Sequence, residues 1–377
     1  MSVLGRPFMS RTQSRARTGL GSALALALAA SLLLPASALG KPLPTDRIAD
    51  KPIESAGLES QAPNVGAVAG VILGPDGREL WSREESERRA VASVTKTMTG
   101  LIVLERASLD ETVTVSRNAT KTGYASGLVA GEQLSVGQLL EYALVASSND
   151  AAVALAEHVA GSADAFVALM NQRAAELGMR NTRFANPHGL DEADHTSSAY
   201  DLWLATQEAL QHPLFRQIVA TPAYTTPGRQ LFNQNELLGS YPGADGVKTG
   251  TTLAAGQNLV GSVTEDGHRE IAVIMGSQDR YSDARALFDT YSNHWRWAAA
   301  PQPEGPASWL WAADDRPLRA AASAPPDLFL PNWQWPLVRP QLILSQAGAE
   351  PGQPSAVIRW YLGNQLLAEA PAILLAY

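Results

Sequence analysis

One strand-like run restricts the fold more than any other feature. GAVAGVIL, Gly66–Leu73, is apolar and bounded by the turn signal GPDG at Gly74–Gly77. RELWS at Arg78–Ser82 can return as its partner, and no further strand-like run follows until Val247. Strands return towards the far end of the chain: Val247–Thr249, QNLVGSV at Gln257–Val263 and REIAVIMG at Arg269–Gly276, with TEDGH as the turn between the last two. The intervening chain reads as helices. Apolar residues recur at helical spacing in Lys96–Ala107, Ser135–Ala146, Asp150–Gly161, Ser162–Met179 and Ser198–Leu210. Ser135 and Ser162 are candidate caps and Gly178 a candidate stop. Asp279–Trp295 is a closing helix. The expected fold class is α+β: one antiparallel sheet built from both ends, packed on a helical cluster.

The 377 residues allow a second, smaller domain. After Trp297 the chain turns Pro- and Ala-rich, and beyond it come short apolar runs such as Gln341–Leu344 and Ala356–Leu362. Gly363–Asn364 lies after the second run as a hairpin turn would. The expected organisation is a main domain over 63–297, a linker at 298–303 and a small all-β domain over 304–377. The proline-rich polar segment 39–62 reads as a linker into the main domain.

The first 38 residues have the layout of a secretory signal peptide. Arg6, Arg11, Arg15 and Arg17 precede an apolar run, Leu20–Pro35, and small residues at Ala36–Ala38 offer a cleavage point. The expected location is the periplasm or cell envelope, reached by secretion across the inner membrane, with the mature chain soluble. A retained N-terminal anchor stays open. Cleavage would remove four arginines and no acid, taking the net charge from −8 to −12. Such an acidic chain is a poor partner for nucleic acid or anionic lipid. With no cysteine, thiolate metal sites, disulfides and cysteine nucleophiles are excluded.

Three short motifs carry chemistry. In AVASVTKTMTG, Ser93 and Lys96 are three residues apart at a helix start, on one face. A serine needs a base to become a nucleophile. Lysine can be that base only when neutral, which burial or a nearby cation would favour. In ASSND, Ser147 and Asn149 are two apart in a turn between helices. They supply a second hydroxyl to pass a proton and an amide to hold a substrate amide. In GVKTGTT, Lys248 and Thr249 suit a carboxylate, and Gly250 opens the strand backbone to a ligand. Lys248 close to Lys96 would also lower the pKa of Lys96. Each motif has a plainer reading by itself: a capping serine beside a solvated lysine, a second cap, and a charged edge strand.

Together, in the order S-x-x-K, S-x-N, K-T-G, they form the signature of penicillin-binding proteins and class A β-lactamases. The gaps of 54 and 101 residues between Ser93, Ser147 and Lys248 mean that only the fold can unite them. With RRAVASVTKTMTG, ASSNDAAVALAEHVAGS, NPHGLDEADHTSSAYDL and GADGVKTGTTLAAGQNLVGS, the chain resembles low-mass penicillin-binding proteins, the serine D-alanyl-D-alanine carboxypeptidases. The tail resembles that family's small β domain more loosely. Ser148 stands where many members have glycine.

The resemblance implies a substrate, the peptidoglycan stem peptide, and covalent inhibition by β-lactam antibiotics. It implies no metal or organic cofactor. Ser93, Lys96 and Ser147 would be catalytic. Asn149, Lys248, Thr249, Gly250, Thr251 and Arg280 would bind substrate, with the Ser93 and Thr251 backbone N–H groups as oxyanion hole. Ser147 would be linked to Lys248. Three alternatives remain: a D,D-endopeptidase, a β-lactamase with Glu192 as deacylation base, and a non-catalytic cell-wall scaffold. The six histidines show no H-E-x-x-H, and His188 is the one that invites inspection. The chain ends at APAILLAY without the amphipathic anchor frequent in the family, so at most a weak membrane or cell-wall-protein association through the C-terminal β domain is expected.

Overall fold

The computed structural model describes residues 63–376, except 75–76, 227, 312–314 and 345–355. The expected signal peptide and lead-in over 1–62 lie outside the described residues.

The main sheet has five antiparallel strands: β1 (Ala69–Leu73), β2 (Glu79–Arg83), β3 (Ala244–Thr252), β4 (Gly256–Glu265) and β5 (His268–Ser277). Their order is β2-β1-β5-β4-β3, so the first strand pairs with the last. Val71 faces Val273 in that register, and Thr249 faces Leu259 across β3 and β4. Side chains alternate between the two faces of a strand. Val71, Val260 and Val273 enter the core shared with the helical cluster. Ile72, Leu259 and Ile274 enter a second core. Both faces are covered, which is why these strands read as unbroken apolar runs.

Seven helices carry the rest of the main body: α1 (Lys96–Arg106), α2 (Val136–Leu144), α3 (Asn149–Ala160), α4 (Ala163–Glu176), α5 (Ala199–Ala209), α6 (Pro213–Val219) and α7 (Arg280–His294). A single 3₁₀ turn, Ala92–Thr95, leads into α1. Local rules explain the ends. Ser135 and Gln138 form a reciprocal capping box on α2. Ser162 caps α4, and Gly178 ends it at φ +79°. Helix α1 is buried along its first two turns, with Met98, Leu101 and Ile102 almost wholly inaccessible. Helix α7 packs Leu287, Phe288 and Tyr291 on the other face of the sheet. Among the described residues no single helix is long and apolar enough to cross a membrane.

The C-terminal part is all-β. Strands β6 (Trp295–Ala299) and β9 (Asp327–Pro331) pair with each other. Strands β7 (Trp309–Trp311), β8 (Pro317–Ala322), β10 (Val338–Leu344), β11 (Ala356–Leu362) and β12 (Gln365–Ala376) form a sheet in the order β7-β8-β12-β11-β10. Trp360 is fully buried there, and its indole N–H donates to Pro301 O at 2.7 Å. Strand β6 begins directly after α7 and runs across the composition break at Trp297, so chain order 295–299 is paired strand rather than free linker. Phe329 stacks against Trp295 and Trp297 at 5.2 and 5.1 Å and joins the core of α7. Trp295, Trp297 and Trp360 are thus packing groups.

Candidate active site

The first motif gains its geometry from the 3₁₀ turn. Three residues per turn stack positions i and i+3, and Lys96 Nζ lies 3.0 Å from Ser93 Oγ. The same nitrogen donates to Asn149 Oδ1 at 2.6 Å and to His188 O at 2.7 Å. An ammonium has three donors, and here each has one acceptor. A neutral amine keeps two N–H groups and one lone pair. Asn149 Oδ1 and His188 O can only accept, so they hold the two N–H groups. The lone pair is then left for the Ser93 hydroxyl. Lys96 is fully buried, and its pKa is driven well below 10.5, first by desolvation and then by the positive charge of Lys248, against a raising pull from Asp150.

Asn149 starts α3, and its Nδ2 donates to Gly123 O at 2.7 Å, which fixes which end of the amide faces Lys96. Ser147 sits two residues earlier in a left-handed turn, φ +61°, and is nearly buried. Its hydroxyl makes no hydrogen bond among the described residues, so the expected link to Lys248 is absent. Lys248 Nζ donates instead to Thr249 O at 3.0 Å. Burial, with the charge of Arg280, pushes the Lys248 pKa down to about 7.

Strand β3 is the sheet edge, and it lies against the Ser93 turn. Gly250 is the contact. A Cβ there would stand 2.9 Å from Ser93 N and 3.1 Å from Val91 O. The sequence suggested that this glycine admits a ligand; its absent side chain also admits the backbone of the serine turn. Thr249 is buried, and Thr251 is exposed with its hydroxyl accepting from Arg280 Nη1 at 2.9 Å. Arg280, the first residue of α7, also donates to Gly250 O at 3.1 Å and Asn258 O at 3.3 Å. Ser93, Lys96, Asn149, Lys248, Thr249, Gly250, Thr251 and Arg280 therefore lie on elements that meet around Ser93, with Ser147 in the loop just before Asn149.

Four further residues hold this arrangement. Asn258 donates to Ala90 O and Val91 O, both at 3.0 Å, and accepts from Gly276 N at 2.9 Å. An asparagine inside an apolar strand was its only sequence signal. Asn186 Oδ1 accepts from Gly189 N at 2.7 Å and thereby closes the turn that offers His188 O to Lys96. His195 is buried and neutral, its pKa lowered to about 4 chiefly by desolvation. Its Nδ1 accepts from Ala185 N at 2.9 Å, so Nε2–H donates to Thr95 Oγ1 at 2.7 Å, and Thr95 donates on to Ala92 O at 2.8 Å. No spacing in the sequence marked it. Asp150, the fourth, is buried beside Asn149. His188 contributes its carbonyl; its imidazole accepts from Leu190 N at 3.2 Å, and its pKa is lowered to about 3 by burial and by Lys96. The Glu192 carboxylate accepts from Asn186 Nδ2 at 3.0 Å, and no hydrogen bond joins it to Ser93 or Lys96. Among the described residues no three His, Asp or Glu side chains converge as a metal site.

Known proteins place this architecture. Residues 58–279 match the family model described as D-alanyl-D-alanine carboxypeptidase. The chain belongs to that family. It is 38% identical over 223 residues to D-alanyl-D-alanine carboxypeptidase DacF of Bacillus subtilis, covering 56% of this chain and 57% of that one. It is 30% identical over 343 residues to DacC of Escherichia coli, covering 84% and 85%. The chain thus spans little over half the length of the first relative and most of the second. Penicillin binding protein 6B from Escherichia coli superposes with a TM-score of 0.65 at 29% identity, over 84% of this chain and 96% of that one. That agreement extends through the C-terminal sheet and bears out the α+β class with a small all-β region.

Proposed function

We propose that the chain is a serine D-alanyl-D-alanine carboxypeptidase acting on peptidoglycan stem peptides in the cell envelope. The observation that carries the reading is the Lys96 amine. It is buried, low in proton affinity, and held by two obligate acceptors with its remaining position on Ser93 Oγ. In this reading Ser93 Oγ attacks the carbonyl carbon of the penultimate D-Ala while its proton passes to Lys96. The carbonyl becomes an oxyanion, received by the Ser93 and Thr251 backbone N–H groups. The C–N bond breaks as Ser147 protonates the leaving D-Ala and takes the proton from Lys96 in return; Lys96, neutral again, then draws a proton from the water that releases the acyl group. Strand β3, the open sheet edge, suits an extended peptide laid alongside it. Asn149 holds the acyl amide, and Lys248, Thr249 and Arg280 hold the terminal carboxylate. β-Lactams, whose strained amide takes the place of the scissile bond, acylate the same serine. The leader read in residues 1–38 would deliver the chain to this substrate.

Mass spectrometry after brief exposure to a penicillin tests the reading. The expected result is a stable adduct on the peptide containing Ser93, absent in Ser93→Ala, together with release of D-Ala from D-Ala–D-Ala peptides. An unmodified wild-type chain that releases no D-Ala overturns it.

The charge of Lys248 gives a pH prediction. Lys96 acts as base only when neutral, so kcat/KM climbs as pH rises through its pKa. Lys248 lowers that pKa. Lys248→Gln removes the charge, so the acidic limb moves to higher pH. KM for a carboxylate-ended peptide should rise as well, by roughly 10- to 100-fold. A pH–rate series on both proteins measures the two effects.

A further inference from the structure

Asp150 has no part in the chemistry above, yet it is fully buried and its carboxylate is saturated with donors. Oδ1 accepts from Ser126 N at 3.1 Å, from Ala151 N at 2.9 Å and from the Ser148 hydroxyl. Oδ2 accepts from Leu128 N at 3.1 Å. Two of these four donors belong to the loop 123–128, and that loop returns to the neighbouring residue. Gly123 O accepts from Asn149 Nδ2 at 2.7 Å and Tyr124 O from Asn149 N at 3.3 Å. Asp150 pulls one end of the loop down, and the other end grips Asn149.

We propose that Asp150 is a positioning residue: by clamping the loop 123–128 onto the head of α3 it orients the Asn149 amide, and through Asn149 it holds the Lys96 amine on Ser93. The physical point is the handedness of an amide. Turned over, Asn149 would aim its NH₂ at Lys96, two donors facing each other. Gly123 O prevents this, and Gly123 is where the clamped loop puts it. Ser148 adds a hydroxyl to the same carboxylate. Arg229 also reaches the loop, donating to Gly127 O at 2.8 Å, so loss of the clamp would loosen the loop without freeing it.

Asp150 acts on Lys96 by charge as well. The groups facing Lys96 are Lys248 from β3, His188 and His195 from the turn region, and Asp150 from α3. Both histidines are neutral at pH 7 and any charge on Lys248 is positive, which leaves Asp150 as the negative member. Its removal should lower the proton affinity of Lys96, opposite in sign to removal of Lys248.

The role in catalysis rests on the proposed function, but its test does not require turnover. The chain has only five lysines, so ¹³C-lysine labelling resolves the Lys96 side chain by NMR. In Asp150→Asn the Lys96 titration midpoint should move to lower pH. The Ser126 and Leu128 amides should lose hydrogen-exchange protection. If wild type releases D-Ala, kcat should fall roughly 10- to 100-fold, with KM nearly unchanged, because misplacement of the base is expressed in the chemical step. Ser148→Ala, which removes only the hydroxyl donor to Asp150, should show faster exchange at the same amides and a smaller loss of kcat. It carries the test if the first variant fails to fold. Wild-type titration of Lys96 in Asp150→Asn, or lost loop protection with no change at Lys96, would overturn the clamp. An inactive wild type would count against the peptidase reading alone, since titration and exchange still decide the clamp.

Discussion

Lys96→Gln is expected to lower kcat/KM, and the rate of penicillin acylation, by about 10⁴-fold or more. The substitution is chosen for what it keeps. A glutamine is nearly as long, is neutral, and its NH₂ can donate to the two acceptors that hold Lys96, Asn149 Oδ1 and His188 O. The buried pocket loses no packing to speak of and gains no unpaired charge. What disappears is the basic lone pair facing Ser93 Oγ. A serine hydroxyl without a base is a weak nucleophile, so loss of the base removes activation of the attack itself. Stopped-flow acylation with a chromogenic β-lactam and a D-Ala release assay measure the effect, with circular dichroism to verify the fold. Activity within tenfold of wild type would mean that another group takes the proton.

The second large effect is predicted at a residue without functional groups. Gly189 has φ +94°, and a Cβ there would lie 1.9 Å from Ala92 O and 2.4 Å from Ala92 C. Neither atom can yield cheaply. The Ala92 carbonyl is held by Thr95, and the preceding Val91 carbonyl by Asn258. Ala92 itself sits at φ +53°, directly before the nucleophile. Gly189→Ala must therefore displace either the turn that presents His188 O to Lys96 or the turn that presents Ser93. We expect a loss of about 3–5 kcal/mol and a fall in Tm of roughly 6–10 °C or more. Acylation should drop by at least about 10²-fold at temperatures where the chain is still folded. Gly178→Ala is the control: φ is +79° but nothing lies within 4 Å, so only the left-handed backbone cost of about 1–2 kcal/mol applies. Equal effects of the two substitutions on acylation would mean that the close approach at Gly189 is not what places Ser93.

Elements with a local cause were readable in advance. The apolar runs of β1, β4 and β5, the serine caps of α2 and α4 and the hairpin at Gly363 follow from periodicity, capping and turn chemistry. So did the closing of the sheet by its two ends, because strand-like runs flank the helical middle on both sides. The start of α1 was less legible. Ser93 and Lys96 are stacked by a 3₁₀ turn entered at a positive-φ alanine, and alanine carries no turn signal.

The motifs themselves named Ser93, Lys96, Ser147, Asn149 and Lys248, since reactive residue types at fixed short spacings are a property of the chain order. What each residue does in the site was decided by neighbours far away in sequence. Gly250 leaves room for the Ser93 turn, a contact that nothing near it in sequence announces. Asn258 serves the site through the backbone carbonyls it holds and His195 through the Thr95 hydroxyl, and nothing local distinguishes such a histidine or asparagine from a surface one. Above all, a lysine in a sequence is a cation. It becomes a base only when folding strips its water, supplies exactly two lasting acceptors, and sets Lys248 and Asp150 on opposite sides of its charge. Residue order determined which reactive groups the chain carries; burial and long-range electrostatics, which exist only after the chain has folded, decided how each of them is held and charged.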